Sequence, residues 1–539
     1  YRLIEEIKPS GNRVVYSYSP QGNLHEIKTV NADNSLVFNQ IQWIVAQGKE
    51  AKRRPYCKAL TSDHQEIIYW MVHLSQEDSA IKTVYKIERP GLGLEEEWFQ
   101  YRSYQGDLNY RVSTKRRGSY PHMEVSYYKE GINHVGHTQV DTESRNQDYL
   151  IGRVKLQREP IGKQGAMQVT QRYFYHKKSD GHGHTDVIDA QENTTRYHYN
   201  TDQQLTKIKR FEGAHKVLYV DRLTWGEKGT SEEAHLKVRT IHDSHKQPLF
   251  CRTYTYDAYG NPIREAFYGN FSGTARGKIE IDSKGYPREG SIEKIETQAT
   301  FSTDGRNLKQ SASDCNGNWT YYLYQPGTNL CTAELRCEGT VIRERHFWEY
   351  DSNALMVKQI IDDGSTPDSH DLTGVSRRKI QTISHRLIMP HCGAPQVITH
   401  SVWDTTSGQE CVQSQEVRTF NDQGLVIRTT VTGNDGAIIA LDEYGYNAAG
   451  AMIYHRDSLG REESKRYNSL GQLVQEKGIG SRSEKNFTYD RAGRLIHSNE
   501  ILHAIPTVSG TQQVTLSSYY KYNSLGHKVE EGHPMHHPT

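Results

Sequence analysis

Aromatic residues along this chain recur at a spacing of two. Paired rings stand at Tyr16/Tyr18, Tyr197/Tyr199, Tyr254/Tyr256, Tyr322/Tyr324, Tyr444/Tyr446 and Tyr520/Tyr522, and Trp348/Tyr350 and Phe487/Tyr489 keep the interval. Period two places both rings on one face of an extended strand. Strand-like runs such as Ile67-Ile68-Tyr69-Trp70-Met71-Val72 and Lys82-Thr83-Val84-Tyr85 occur between these pairs. Stretches of helical period with caps are scarce, so the pattern predicts an all-β chain with few helices.

The second ring of a pair opens a recurrent phrase. It reads Tyr446-Asn447-Ala448-Ala449-Gly450, then Tyr467-Asn468-Ser469-Leu470-Gly471, Tyr489-Asp490-Arg491-Ala492-Gly493 and Tyr522-Asn523-Ser524-Leu525-Gly526. Upstream, Tyr256-Asp257-Ala258-Tyr259-Gly260 is a full match, and Tyr18 with Gly22, Phe301 with Gly305 and Phe420 with Gly424 keep the aromatic and the glycine. Copies at Tyr199, Tyr324 and Tyr350 put Gln203, Thr328 and Ala354 in the glycine position. An Asp or Asn side chain can start a turn by bonding the backbone two residues on. A glycine three residues later fits the last position of a type I turn. The apolar residue six after the aromatic, as at Leu205, Val426, Met452, Leu473 and Leu495, then begins the return strand. A repeat of about 21–26 residues is thus two short strands and two turns. Stacked copies are expected to lay their aromatics side by side as cross-strand ladders.

Copies are unevenly distributed. Residues 1–30 hold one, 31–150 are degenerate, and repeats resume at 185–210, become frequent over 250–356 and are densest over 415–530. The segment 362–376 reads as a polar loop. No linker separates independent domains, so one continuous strip over 1–539 is expected.

Composition narrows the function. Lys plus Arg number 66 and Asp plus Glu 65, a net charge of +1, so no basic excess is present to hold a phosphate backbone and nucleic acid is not an expected partner. Tyrosines number 35 against 11 phenylalanines, a skew that suits thin layers wet at the ring tip. No apolar run reaches the ~18 residues that span a bilayer. The seven cysteines form no CxxC pair, and only Cys331 and Cys337 are close enough in sequence to suggest a bridge. The chain starts at Tyr1 rather than Met, as a fragment or processed product would.

Candidate chemistry is sparse. Around Asp180-Gly181-His182-Gly183-His184-Thr185-Asp186, with His176 and His198 nearby, imidazole and carboxylate groups of the kind that ligate zinc are concentrated. His182, His184 and Asp186 are the candidate metal ligands. The glycines between them equally describe a flexible loop, and that reading is preferred, so no metal or other cofactor is assigned. His134 with His137, and the terminal His536 and His537, are weaker. Lys49, Lys52, Arg53 and Arg54, and likewise Arg377, Arg378 and Lys379, read as solvated basic faces. No phosphate-binding loop, nucleophile elbow or zinc-protease helix is present, and His391-Cys392-Gly393 has no partner base at recognisable spacing. No catalytic residue is assigned.

The phrases Tyr256-Asp257-Ala258-Tyr259-Gly260-Asn261 and Tyr489-Asp490-Arg491-Ala492-Gly493-Arg494-Leu495, and the run Asp457-Ser458-Leu459-Gly460-Arg461 leading to Tyr467, resemble the YD repeat of Rhs proteins. That family includes bacterial Rhs polymorphic toxins, shell components of Tc toxins and teneurin barrels. The resemblance implies an antiparallel sheet spiralling into a hollow shell or barrel. In bacterial members such a shell encloses a toxin released by self-cleavage, whereas teneurin-type barrels serve adhesion. The chain has no Asp-Pro pair and no version of the segment preceding the toxin, so neither cleavage site nor cargo is expected within it. The resemblance thus implies a non-catalytic scaffold, bacterial and secreted or at the cell surface, delivered to a target cell. Its partner would be an enclosed toxin or effector polypeptide, or flanking domains of the same protein. The alternative is an adhesion scaffold whose exposed rings meet a glycan or protein receptor. A metal hydrolase built on His182 and His184 is the third and weakest reading.

Overall fold

The computed structural model describes residues 2–46, 56–73, 82–89, 97–104, 107–117, 120–128, 150, 153–161, 166–274, 277–478, 483–507, 510–523 and 526–533. Lys49, Lys52, Arg53, Arg54, His134, His137, His536 and His537 lie outside them. The described residues form 37 strands and no α-helix, from β1 (Glu5–Ile7) to β37 (Lys528–Gly532). Every strand pairs antiparallel with the next in sequence, so the sheet is one uninterrupted meander. No helix among the described residues is long and apolar enough to cross a membrane.

The strip turns back on itself without closing into a barrel. In a meander, successive hairpin turns alternate between the two edges. The turns after β1 and after β3 (Leu24–Val30) therefore share one edge, and those after β22 (Trp319–Tyr324) and β24 (Val341–Tyr350) lie on the other. These opposite edges touch. Asn31 Nδ2 donates to Asn353 Oδ1 at 2.7 Å, Asn12 Nδ2 reaches the Asn353 carbonyl at 3.3 Å, and the Asn329 N–H donates to the Pro9 carbonyl at 3.1 Å. One edge of the strip's beginning thus abuts the opposite edge 322 residues later, which makes the strip a spiral. Among the described residues β1 pairs only with β2 (Arg13–Tyr18) and β37 only with β36 (Gly510–Tyr522).

A sheet this thin buries little, and among the described residues two apolar clusters stand out. One forms on β17 (Leu236–Asp243), β18 (Pro248–Tyr256) and β19 (Pro262–Gly269). There Val238, Cys251, Ala266 and Tyr268 are covered by Ile279, Ile281, Tyr286 and Ile292 from the segment before β20 (Glu293–Phe301). The second is a cross-strand row on β23 (Cys331–Glu338), β24, β25 (Met356–Asp362) and β26 (Arg378–His385). Ala333 opposes Phe347, Phe347 opposes Ile360, and Ile360 opposes Ile380. All seven cysteines are free. Cys331 and Cys337 lie six apart on one strand, roughly 20 Å along it, beyond the ~7 Å that a disulfide tolerates between Cα atoms.

Candidate functional site

The repeat phrase builds one turn, used again and again. In the copy at Tyr256, the Asp257 carboxylate accepts the N–H groups of Tyr259 and Asn261, both at 2.9 Å. The Gly260 N–H closes a type I turn on the Asp257 carbonyl, and the Asp257 N–H donates to the Asn261 carbonyl. Gly260 has φ +85°, the left-handed conformation that follows a type I turn in this kind of hairpin. The same positive φ recurs at Gly22, Gly450, Gly471, Gly493 and Gly526. The expected turn is therefore present, and left-handed backbone is the reason glycine ends the phrase. Gln203 and Ala354 adopt that conformation without glycine, at φ +63° and +61°. The Tyr324 copy, which has Thr328 at that position, moves the positive φ to Gly327.

A register shift immediately precedes the aromatic at Tyr18, Tyr256, Tyr446, Tyr467, Tyr489 and Tyr522. Such irregularities increase local twist, and here they repeat in step with the hairpins. The ring pair of this repeat does not form an opposed ladder, since Tyr254 and Tyr256 face Glu265 and Pro262 across the hairpin, although outside the repeat phrase Tyr56 does oppose Trp70, ring centres 5.4 Å apart. Two strands separate the rings of consecutive repeats, so each ring reaches the preceding hairpin by its hydroxyl instead. Tyr256 Oη donates to the Leu236 carbonyl, Tyr446 to Val426, Tyr489 to Leu473 and Tyr522 to Leu495, each at 2.8 Å. Tyr467 reaches Met452 at 3.1 Å, and Tyr18 reaches Leu3 at 2.7 Å. Apart from Leu3, these acceptors are first residues of strands. Burial pushes the Tyr256, Tyr446 and Tyr489 phenols above their ordinary pKa, which keeps the donor proton in place. These bonds give tyrosine a role at the repeat positions that phenylalanine cannot fill. Trp225 stands outside the repeat phrase, having neither a preceding ring nor the Asx turn. Its indole N–H nevertheless donates to the Leu205 carbonyl at 2.8 Å, in the place a repeat tyrosine would take.

The two faces of the sheet differ. Alternation puts Trp348 and Tyr350 of β24 on the tyrosine face and Arg345 and Phe347 on the other. Beside the apolar row on that second face runs a charged one: Leu335 opposes Arg345, Arg345 opposes Asp362, and Asp362 opposes Arg378. The side chains of Arg345 and Asp362 are fully buried, with Arg345 Nε 2.6 Å from Asp362 Oδ1. The Arg345 guanidinium also donates to the carbonyls of Thr366 at 2.6 Å, Asp368 at 3.0 Å and Asp371 at 3.1 Å. It thereby organises the predicted polar loop, which lies over this face. Arg378 is not solvated: it is buried, 3.5 Å from Asp362 Oδ2, and donates to the Ser369 carbonyl. Its burial comes from the loop folding over it, a non-local event. Arg377 is exposed, as expected.

The histidine-rich segment is a turn over 180–182 that runs into a strand from Gly183 onward. β12 (Ala166–Lys177), β13 (Gly183–Asp189) and β14 (Thr194–Tyr199) are in register, with His176 opposite His184 and His184 opposite His198. Gly183 serves close approach and not flexibility, since a Cβ there would stand 2.6 Å from the His176 carbonyl oxygen. The His176 and His184 rings stack at 4.3 Å, and the His184 and His198 rings are 5.5 Å apart. Asp186 is buried and held by Arg196 in a two-pronged bond of 2.7 and 2.8 Å. His182 is elsewhere, in the preceding turn, exposed and bonded to Asp180. Burial, then repulsion from His176, brings the His184 pKa down to about 4, and burial with Lys207 brings His198 to about 4. Both rings are neutral at physiological pH.

No family model matches the chain, and no curated protein matches it. Solved structures do. The crystal structure of TcdB2-TccC3-TEV is 11% identical, with a TM-score of 0.42 over 96% of this chain and 27% of that one. TcdB2-TccC3 without its hypervariable C-terminal region is 9% identical, with a TM-score of 0.37 over 97% of this chain and 30% of that one. The Photorhabdus luminescens Tc holotoxin pore with a TccC3 mutation is 10% identical, with a TM-score of 0.31 over 99% of this chain and 32% of that one. The chain spans under a third of each of these three.

On the tyrosine face, Tyr173 and Tyr175 of β12 and Tyr197 and Tyr199 of β14 line an open groove of about 600 Å³, with Arg153 and Gln203 at its sides. Arg153 lies 5.0 Å from the centre of the Tyr175 ring. The tyrosine rings and the histidine rings alternate to opposite faces of the same three strands, and His176 and His184 also contribute to the groove's lining.

Proposed function

We propose that this chain is a wall segment of an Rhs-type shell, a non-catalytic scaffold that encloses another polypeptide. The observation that carries the reading is the coiling itself. A single meander, bonded turn to turn where its opposite edges meet, would present a continuous surface with an inside and an outside. Loops folded over one face and a tyrosine face on the other suit a wall whose sides meet different surroundings. The enclosed polypeptide would be a toxin or effector, or flanking domains of the same protein, and the assembly would be secreted and delivered to a target cell.

Electron microscopy of the full-length protein, with limited proteolysis, tests this. The expected result is a hollow particle in which an enclosed segment resists protease until the wall is opened. An open strip, or a particle whose other domains are all equally cleavable, overturns it. The groove of Tyr173, Tyr175, Tyr197 and Tyr199 favours the second reading, an adhesion scaffold that stacks sugar rings or a receptor's side chains on its aromatics. Glycan-array binding abolished by Tyr175→Ala, by a particle with nothing inside, would decide for it.

A further inference from the structure

On the face opposite the repeat tyrosines, three neighbouring strands carry a histidine each at matching register, beside a buried carboxylate. We propose that His176, His184 and Asp186 form a transition-metal site, with zinc as the matching cation and His198 beside it on the next strand. The site is structural: it braces β12 to β13 across the sheet.

Geometry is the first support. One ligand atom from each of His176, His184 and Asp186 lies within 4.8 Å of the others. Zinc holds nitrogen and oxygen donors at about 2.0–2.2 Å, so on binding the stacked His176 and His184 rings would turn to bring their in-plane lone pairs to a common centre with Asp186. The strand register fixes where each ring starts from, which a glycine-histidine loop would not do. Ligand chemistry is the second support. Two imidazoles and a carboxylate, without thiolate, suit zinc better than a soft cation. Asp186 is already oriented by Arg196, and each carboxylate oxygen keeps a lone pair beyond that bond. A ligand held by such an outer partner is the usual arrangement at metal centres. His198 adds a third observation: its Nε2 is buried with no hydrogen-bond partner among the described residues. A buried imidazole nitrogen left in that state is destabilising unless something binds it.

The inference depends on the strand register and not on the shell reading, so either can fail alone. The test is calorimetric titration of zinc into the full chain after removal of metal by chelation, repeated for His184→Asn, His176→Asn and His182→Ala. The expected result is one equivalent of zinc bound by the parent chain, at least about tenfold weaker binding in the first two variants, and none of that loss in the third. Cobalt in place of zinc should give a visible spectrum of nitrogen and oxygen coordination that His184→Asn abolishes. Absence of zinc binding by the parent chain overturns the proposal, as does undiminished binding by His184→Asn or loss on His182→Ala. Should one strand variant fail to fold, the other carries the test, and undiminished binding there overturns it equally.

Discussion

The hydroxyl of Tyr256 donates to the backbone carbonyl of Leu236 at 2.8 Å, and so ties a repeat to the first strand residue of the hairpin before it. That carbonyl belongs to the edge where the repeat turns lie, and the same connection recurs along the strip. In a linear array, stability is a sum of repeat terms and neighbour terms, and this bond is a neighbour term. Tyr256→Phe removes the donor while keeping the ring. It should cost about 1 kcal/mol, the net worth of one hydrogen bond, in denaturant unfolding. Tyr446→Phe, far away in sequence and with its own acceptor at Val426, should cost a similar amount, and the two should add. Unchanged unfolding in both variants would show that the hydroxyl bonds carry no stability.

Gly471 has φ +75° in the turn between β32 (Glu462–Tyr467) and β33 (Leu473–Lys477). A side chain in that conformation costs about 1–2 kcal/mol, and a β-branched one more. Gly471→Val should therefore lower the unfolding midpoint clearly, and Gly471→Asn much less, because Asn tolerates left-handed backbone. Equal effects of the two variants in thermal unfolding would contradict a conformational cause.

Arg345 is the structural centre of the loop over β23 to β26. Its removal leaves Asp362 buried without its main partner and three loop carbonyls without their donor. Arg345→Met should cost about 3–5 kcal/mol, the range for breaking one side of a buried pair. The loop over 363–377 should become the first site of proteolysis. Arg345→Lys keeps the charge but not the planar fork, so it should leave the loop partly cleavable. A protease-resistant loop in Arg345→Met would refute the organising role of Arg345.

The hairpins are legible in the sequence because everything that makes them is local: a ring pair, an Asx cap and a glycine within seven residues. The bond from Tyr256 to Leu236 spans 20 residues and shows in the sequence only as the choice of tyrosine over phenylalanine at the repeat position. Trp225 does the same work without the phrase, so no motif reaches it. Arg378 departs from its expected solvated place because a loop that precedes it in sequence folds over it, and burial of that origin leaves no periodic trace. The histidines stand out in the sequence, but their proximity along the chain groups the wrong ones. His182 and His184 share a phrase, whereas His176 and His184 share a register, and register follows from pairing three strands.

Glu296 gives a pH dependence with a defined sign. The Arg264 guanidinium bonded to it, outweighing burial and helped by Lys294 and Gln298, lowers its pKa from 4.5 to about 2. A carboxylate whose folded pKa lies below its unfolded one binds fewer protons in the native state. Its stabilisation is complete above pH 4.5 and is lost as pH falls from 4.5 to about 2. Glu296→Gln should flatten the stability profile in that window and leave its slope above it unchanged. A profile of unaltered slope below pH 4.5 would mean that the Arg264 contact is broken in solution.

The bond between Asn31 and Asn353 offers the sharpest test of the spiral. Asn353 lies in the turn between β24 and β25, whose cap is the Asp351 carboxylate, which accepts the N–H groups of Asn353 and Leu355. Both are backbone donors, so Asn353→Ala keeps the turn. What it removes is the side-chain bond to Asn31, at 2.7 Å, across the junction of the two edges, together with one side-chain bond inside the turn, from Asn353 Nδ2 to Asp351 Oδ2 at 3.2 Å. The two backbone N–H bonds that cap the turn remain in the variant, so the coil contact is lost while the turn keeps its main support. Hydrogen exchange should accelerate at residues 31–36, whose turn loses its partner, while amides at 351–355 stay protected. A bond of this kind is worth about 1 kcal/mol, so a several-fold faster exchange is expected at the junction. Slow exchange at 31–36 in the variant would mean that other contacts at the junction, such as Asn329 on Pro9, hold the edges alone. Fast exchange there in the parent chain would mean that the edges do not meet in solution. The strip would then be open, and a wall that encloses anything would need another chain to complete it.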